Sequence, residues 1–338
     1  MNSLGQPDGQ YPVITMSDVA HAANVSPMTV SNAFRYPERV QEETRLRVLE
    51  VAATLGYLPN MSAGHLAARK SRIIGSTLPS LKNASFYQYI TGLQDEANAR
   101  GHKVVFMLTD TLEQELEAVH AFIGMRVTGI ILIGNEHKAA TVDILRKARV
   151  PTVETWLLHD PVDRAIGYDI ADAIRTACRR HINAGRRRIG LISNDDPASR
   201  RFRERPPVFR EEMCRAGLRD DLVVNVTEPH AFEAGPAALE ELLALDANLD
   251  AVICPTDIVA AGVLWDCARR GISVPERLGI IGWGDYEIAQ AVSPKLTTIK
   301  PNPMEIGVGA VRLLLDGAGD GETTKVDTGY SLIERESA

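Results

Sequence analysis

The chain has 338 residues, 45% of them hydrophobic and 24% charged, and a formal net charge of -7. This is the balance of an ordinary globular protein with room for two or three domains, and no apolar run is long enough to span a bilayer. Four cysteines (Cys178, Cys214, Cys254, Cys267) show neither a CxxC pair nor a histidine at metal-ligand spacing, which predicts free thiols in a reducing, cytoplasmic setting and no metal site.

The charge is unevenly spread. Residues 1–72 carry seven Lys+Arg against six Asp+Glu, while the remainder carries 30 against 38. An acidic body is repelled by DNA and by anionic membranes, so any contact with DNA falls to the near-neutral N-terminal part. At the start, MNSLGQPDGQYP has no basic stretch and no apolar core. It does not read as a signal peptide, and its polar, Gly- and Pro-containing makeup predicts a disordered tail over 1–12.

Three short helices are predicted next, within 13–59. Thr15 and Asp18 stand at capping-box spacing before the first, whose apolar edge is Val19, Ala20 and Ala23. Asn24-Val25 makes a tight link. Ser26-Pro27 opens the second helix, a hydroxyl to cap and a proline at the first helical position, and Pro37 ends it. Val30 and Ala33 can pack inward there, leaving Met28, Thr29 and Asn32 outward. The third helix has Leu46, Leu49, Val51, Ala53 and Leu55 as its predicted apolar set and Gly56 as its stop. Such a unit reads as a helix-turn-helix with its second helix offered to a major groove, or as a helical cap or dimerisation arm. After Pro59, a short helix is predicted from Asn60 to Arg69, followed by a basic run of Arg69, Lys70 and Arg72. A helix this short is unstable alone in water and folds only against a partner or a groove.

From Arg72 onward, apolar strands alternate with helices: RIIGSTLP, KVVFMLTD, TGIILIG and VPTVETW, then, after DRAIGYD, RRIGLIS, LVVNV, LDAVICP and LGIIGWG. Repeated β-α-β with buried strands implies parallel sheets, here an α/β body of two Rossmann-like lobes with a cleft between them. The expected division is 72–166 plus 298–324 for the first lobe and 167–297 plus 325–338 for the second. No G-x-G-x-x-G follows the first strand and there is no Walker motif, so no cofactor is expected. Neither a nucleophile elbow nor a metal cluster supports an enzyme. The scattered His65, His102, His137 and His181 read as structural residues, mostly on surface helices or turns.

The N-terminal segment, with Asp18-Val19-Ala20, Val25-Ser26, Met28-Thr29-Val30-Ser31, Glu43-Thr44-Arg45, Leu55-Gly56-Tyr57, Pro59-Asn60 and Leu66-Ala67 in order, resembles the DNA-binding headpiece and hinge of the LacI/GalR family of bacterial transcription regulators. The resemblance extends over about 13–336, since the body is similar to that family's effector core, itself like periplasmic sugar-binding proteins. It implies a regulator, with repression as the expected mode. A dimer on palindromic operator DNA is implied too, because one headpiece contacts too little to be specific. The chain ends at ERESA without a heptad tail, so no tetramerising helix is expected. The implied DNA contacts are Thr15, Ser26, Met28, Thr29, Ser31, Asn32 and Arg35 from the headpiece and Asn60, Ala63, Leu66 and Arg69 from a hinge at 60–71. Leu66 matches the leucine that wedges into a central base step of the minor groove. Where the family most often has arginine reading guanine, this chain has Asn32, which pairs best with adenine. The alternative is a contact to phosphate or water only. Gln41 replaces the usual capping serine of the third helix, a loss of about 1 kcal/mol.

RVPTVETW, RAIGYD, VICPTDIVAAGVLWDCARRGISVPERLGIIGWGDYEIAQ and DTGYSLIERESA look like the gluconate-utilisation regulators within the family. That resemblance implies a sugar-acid effector such as gluconate. Arg205 matches the family's cleft arginine, whose fork suits a carboxylate, with Arg200, Arg201 and Arg203 as nearby cations, or the run is a solvated basic loop. Asp257, Asp169 and Asp285 are candidate acceptors for hydroxyls; Asp257 could instead cap its helix. Phe86 and Trp156 are candidate stacking surfaces, with burial in the core as the alternative for Trp156. A sugar-binding protein without DNA function and a sugar-acid enzyme are the competing readings, and residues 13–72 argue against both.

Overall fold

The computed structural model describes residues 14–58, 71–79, 84–194, 200–317 and 324–338. The expected tail and the hinge segment with Asn60, Ala63, Leu66 and Arg69 lie outside them, as do the side chains of Arg200 and Arg201. The chain divides into two compact units, one up to Lys70 and one from Ser71.

The first unit is all-helical: α1 (Met16–Ala22), α2 (Pro27–Arg35), a 3-10 turn over Pro37–Arg39, and α3 (Glu42–Leu55). The Thr15 N–H donates to Asp18 Oδ2 at 2.8 Å while Thr15 Oγ1 accepts from the Asp18 N–H at 3.4 Å, a reciprocal cap on α1. Hydrogen bonds from the Thr15 hydroxyl and N–H hold the exposed Asp18 carboxyl below the usual range. Asn24 takes φ +52 in the turn, and Ser26 Oγ then caps α2 by accepting from the Thr29 N–H at 3.1 Å. Gln41 makes no such bond at the start of α3, as expected. Val19, Ala20, Ala23, Val30, Ala33, Val48, Ala52 and Tyr57 form a small core, and Phe34 meets Tyr57 at 6.0 Å. The face of α3 differs from the expected one: Val48 and Ala52 are its buried residues, with Val51 and Leu55 half-buried beside them. Leu46 is 55% exposed and Ala53 faces solvent. The buried stripe follows 48, 51, 52 and 55, and neither position falls on it.

The second unit runs β1 (Ile73–Leu78), α4 (Ala84–Ala99), β2 (Lys103–Leu108), α5 (Leu112–Gly124), β3 (Gly129–Ile133), α6 (Ala139–Ala148), β4 (Thr152–Trp156) and β5 (Arg164–Gly167). It continues with α7 (Ile170–Asn183), β6 (Ile189–Ser193), α8 (Arg200–Arg203), α9 (Arg205–Arg215), β7 (Val223–Asn225), α10 (Ala234–Leu245), β8 (Ala251–Ile253), α11 (Asp257–Arg270), β9 (Gly279–Trp283) and α12 (Glu287–Ala291). Then come β10 (Thr297–Pro301), α13 (Pro303–Asp316), β11 (Lys325–Asp327) and β12 (Tyr330–Ile333). Two six-stranded sheets result, ordered β11-β5-β4-β3-β1-β2 and β12-β10-β9-β8-β6-β7. All pairs are parallel except β10 with β12. The inner strands are largely apolar on both faces because helices cover both.

The chain crosses between the sheets three times, and the later crossings differ from the expected division. Thr297–Pro301 belongs to the second sheet, pairing Thr298 with Gly282, whereas 298 onward was expected in the first lobe. Lys325–Asp327 belongs to the first sheet, pairing Val326 with Ile166, whereas 325 onward was expected in the second. An exposed three-residue edge strand carries no hydrophobic signal to assign it. The crossings are laced together: Asn302 Nδ2 donates to the Thr328 carbonyl at 2.8 Å, and the Thr328 N–H donates to the Gly167 carbonyl at 2.8 Å. α13 packs closely on α4, where a Cβ on Gly307 would lie 2.3 Å from the Tyr89 carbonyl oxygen and one on Gly92 2.4 Å from that of Met304.

Candidate functional site

The first unit presents α2. Burial of Val30 and Ala33 turns the opposite side outward, with Met28 69% exposed, Arg35 exposed, and Thr29, Ser31 and Asn32 half-exposed. This brings five of the expected headpiece contacts onto one short helix face. Thr15 and Ser26 lie at helix starts and already serve as caps; Thr15 Oγ1 also donates to Asp18 Oδ2 at 2.7 Å, and Ser26 Oγ lies 2.9 Å from Thr29 Oγ1.

In the second unit, a cleft forms where strands from both sheets end. Trp156 closes β4, Tyr168 follows β5, Pro255 and Thr256 follow β8, Trp283 closes β9 and Pro301 closes β10. The carboxyl ends of strands are where open α/β sheets bind ligands. Phe202, Arg205, His230 and Tyr286 complete the lining. Arg205, 4% exposed, sits at the first position of α9 with its guanidinium 3.7 Å above the Trp283 ring centroid and 4.8 Å from that of Phe202. Its Nη1 donates to the Pro255 carbonyl at 2.9 Å. Trp283 Nε1 donates to the Tyr168 hydroxyl at 3.1 Å. A buried cation stacked on indole is held in place at a gain of about 2 kcal/mol, and a planar guanidinium so fixed suits bidentate recognition of a carboxylate. The cavity measures about 20 Å³ for water centres, room for one water and no more.

Of the six expected effector contacts, Trp156 and Arg205 line this cleft. Phe86, 1% exposed, packs edge-on to Trp156 at 5.8 Å, behind it. Asp257 is fully buried: its Oδ1 accepts from the Thr298 hydroxyl at 2.5 Å and its Oδ2 from the Tyr286 N–H at 2.8 Å. Burial pushes its carboxyl up to about 6, against the pull of those two hydrogen bonds. The cap of α11 is Thr256, not Asp257; its Oγ1 accepts from the Val259 N–H at 3.3 Å. Asp169 caps α7 by accepting from the Asp172 N–H at 2.8 Å. Asp285 is clamped by Arg335 at 2.6 Å and Lys300 at 3.0 Å. Burial alone would raise its carboxyl, yet the two cations hold it below the usual range. The expected acceptors are thus engaged in the fold. Tyr168, Phe202, His230, Trp283 and Tyr286 take the cleft instead, and the signal that could have found Tyr168 and Trp283 is their position at strand ends.

His137 and His181 are buried rather than on surface elements: the His137 side chain is 1% exposed, and His181 is 1% exposed. Among the described residues, no group of three or more His, Cys, Asp or Glu is placed to hold a metal ion, and no helix is long and apolar enough to cross a membrane.

Residues 15–60 match the sequence profile of bacterial regulatory proteins of the lacI family, and residues 178–338 match that of a periplasmic binding protein-like domain. The transcriptional repressor CytR of Escherichia coli K12 is 30% identical over 319 residues, which cover 91% of this chain and 90% of that protein. The chain belongs to the LacI family. The transcriptional regulator GntR of Escherichia coli K12 is 29% identical over 324 residues, covering 94% of this chain and 96% of that protein. A crystal structure of a LacI-family transcriptional regulator from Silicibacter pomeroyi superposes with a TM-score of 0.88 at 29% identity, covering 96% of this chain and 99% of the other. This member of the LacI family is accordingly a DNA-binding transcriptional regulator with a helix-turn-helix headpiece; its relatives and its fold are those of regulators, not enzymes.

Proposed function

We propose that this LacI-family regulator is a dimeric, cytoplasmic repressor of palindromic operator DNA, controlled by a small sugar acid such as gluconate held between its lobes. The observation that carries the effector half is Arg205, fixed on Trp283 with its guanidinium among the residues lining the cleft. In this reading its fork takes the carboxylate, the Trp156 and Trp283 rings take the apolar face of the carbon chain, and Thr256, Tyr168 and His230 supply polar atoms for hydroxyls. The likeness to gluconate-utilisation regulators supports the same class of ligand. A cleft with room for one water must open before such a ligand enters. Entry and closure would shift the lobes and, through the hinge, the grip on DNA.

For the operator, α2 enters the major groove with Met28, Thr29, Ser31, Asn32 and Arg35. Asn32 reads adenine where relatives with arginine read guanine. Leu66 wedges into the minor groove, with Asn60, Ala63 and Arg69 beside it, and Thr15 and Ser26 touch backbone phosphate. The test is isothermal titration of the full-length protein with gluconate, 2-ketogluconate, 6-phosphogluconate and a neutral hexose, repeated with Arg205→Ala and Arg205→Lys. A saturable sugar-acid signal lost in Arg205→Ala supports the reading. Binding of the neutral hexose alone overturns the sugar-acid half and leaves the regulator standing.

A further inference from the structure

Glu136 and Arg203, the latter between the cleft residues Phe202 and Arg205 in sequence, form an ion pair that ties the two lobes together. Glu136 lies on the loop after β3, in the first sheet. Arg203 ends α8, which follows β6 of the second. The loop is pinned along its length. The Gly134 N–H donates to the Thr155 carbonyl at 3.0 Å, Asn135 Nδ2 donates to the His159 carbonyl, and Lys138 Nζ donates to Glu113. His137 anchors it most deeply, with Nδ1 2.7 Å from Glu115 and Nε2 3.0 Å from Glu154. Glu154 is fixed in turn, accepting the Val162 N–H through both oxygens at 3.2 and 3.1 Å. Glu136 is thereby presented from a rigid support to a cation on the other lobe.

The pair is partly open to water, with side-chain exposures of 40% for Arg203 and 29% for Glu136, and an open groove lined by His159, Pro207 and Val208 runs beside it. A pair this wet contributes little to overall stability and is weakened by salt. That strength suits a bias on a conformational balance rather than a permanent clamp.

We propose that Glu136 and Arg203 form an ionic latch that biases the two lobes toward the shut arrangement and so sets how readily a ligand gains the cleft. The latch does not depend on which ligand the cleft takes, so it is tested without one. Fluorescent dyes are placed on Lys147→Cys of α6 and Glu241→Cys of α10, both exposed positions, in a full-length Cys214→Ser background; the remaining cysteines are buried. Single-molecule energy transfer then reads the open fraction. Glu136→Gln and Arg203→Gln should each raise that fraction by up to about fivefold at low salt, and added salt should open the unsubstituted protein but not the variants. The charge-exchanged pair, Glu136→Arg with Arg203→Glu, should restore the shut fraction. Unchanged histograms in the single variants, or an exchanged pair no more shut than they are, would overturn the latch. Neither result bears on the identity of the effector, which the titrations decide separately.

Discussion

The guanidinium of Arg205 lies 3.7 Å above the indole of Trp283, while the same indole donates to the hydroxyl of Tyr168 at 3.1 Å. The ring therefore does two things, supporting the cation from one face and fixing Tyr168 at its edge. Trp283→Leu should weaken binding of an acidic effector by about tenfold or more, and Trp283→Phe, which keeps a ring face, by only a few fold. Titration calorimetry against the same ligand distinguishes them; equal losses would show that the ring face is not what matters.

His137 should make the stability of the body fall on the alkaline side. Burial alone would lower its pKa, but the hydrogen bonds and charges of Glu115 and Glu154 raise it to about 9 from 6.5. The folded chain then holds a proton that the unfolded chain releases between those values. The contribution, about 3 kcal/mol, is fully present below pH 6.5 and is lost as the pH rises through 9. Urea unfolding from pH 6 to 9.5 should show this slope in the unsubstituted protein and not in His137→Gln.

His181 should act in the opposite direction. Burial lowers its pKa to about 3, so the unfolded chain binds a proton that the folded one excludes. Its stabilising contribution is complete above pH 6.5 and shrinks as the pH drops from there toward 3. Comparing the acid limb of unfolding curves for the unsubstituted protein and His181→Gln tests it; identical slopes would refute it.

Gly307→Ala should destabilise the body by about 2 kcal/mol, although the same change in an isolated helix stabilises by up to about 1 kcal/mol. The reason is the 2.3 Å approach of a Cβ there to the Tyr89 carbonyl oxygen, backbone that cannot step aside cheaply. Thermal melts decide the sign.

In the headpiece, Gln41→Ser should stabilise by about 0.5–1 kcal/mol by supplying the missing cap of α3, and Ser26→Ala should cost about 1 kcal/mol by removing that of α2. Operator selection with Asn32→Arg should move one half-site position from A to G. An unchanged operator preference would leave Asn32 outside base readout.

Most of the body could be read from the sequence because its inner strands are apolar runs between helices. GIILI over 129–133 and GIIGW over 279–283 are examples. β11, Lys-Val-Asp, is exposed throughout and has no such signature. The helical pattern of α13 is weak in the sequence because Gly307 and Gly309 interrupt it, yet Gly307 is what lets it approach α4. At the cleft, Arg205 is legible because it matches the cleft arginine of the family that the chain resembles. The aspartates suit the hydroxyls of a sugar ligand, but the fold already uses them: Asp257 for Thr298 and Tyr286, Asp285 for Arg335 and Lys300. Such partners lie 15 to 50 residues away in sequence, beyond what local pattern reveals. The buried His137 cluster joins residues from three separate elements and leaves no trace in the run Asn135-Glu136-His137-Lys138.

The three chain crossings, bound to one another through Gly167, Thr328 and Asn302, restrict what the lobes can do mechanically. Three chain segments sewn into one narrow band should act like the spine of a book, softer to rotation about the band than to sliding or twisting. Any molecule in the cleft and any ion pair at its mouth therefore act on a single angle. In the proposed opening their free energies add along that one coordinate, so a bound ligand and the ionic latch weigh directly against each other.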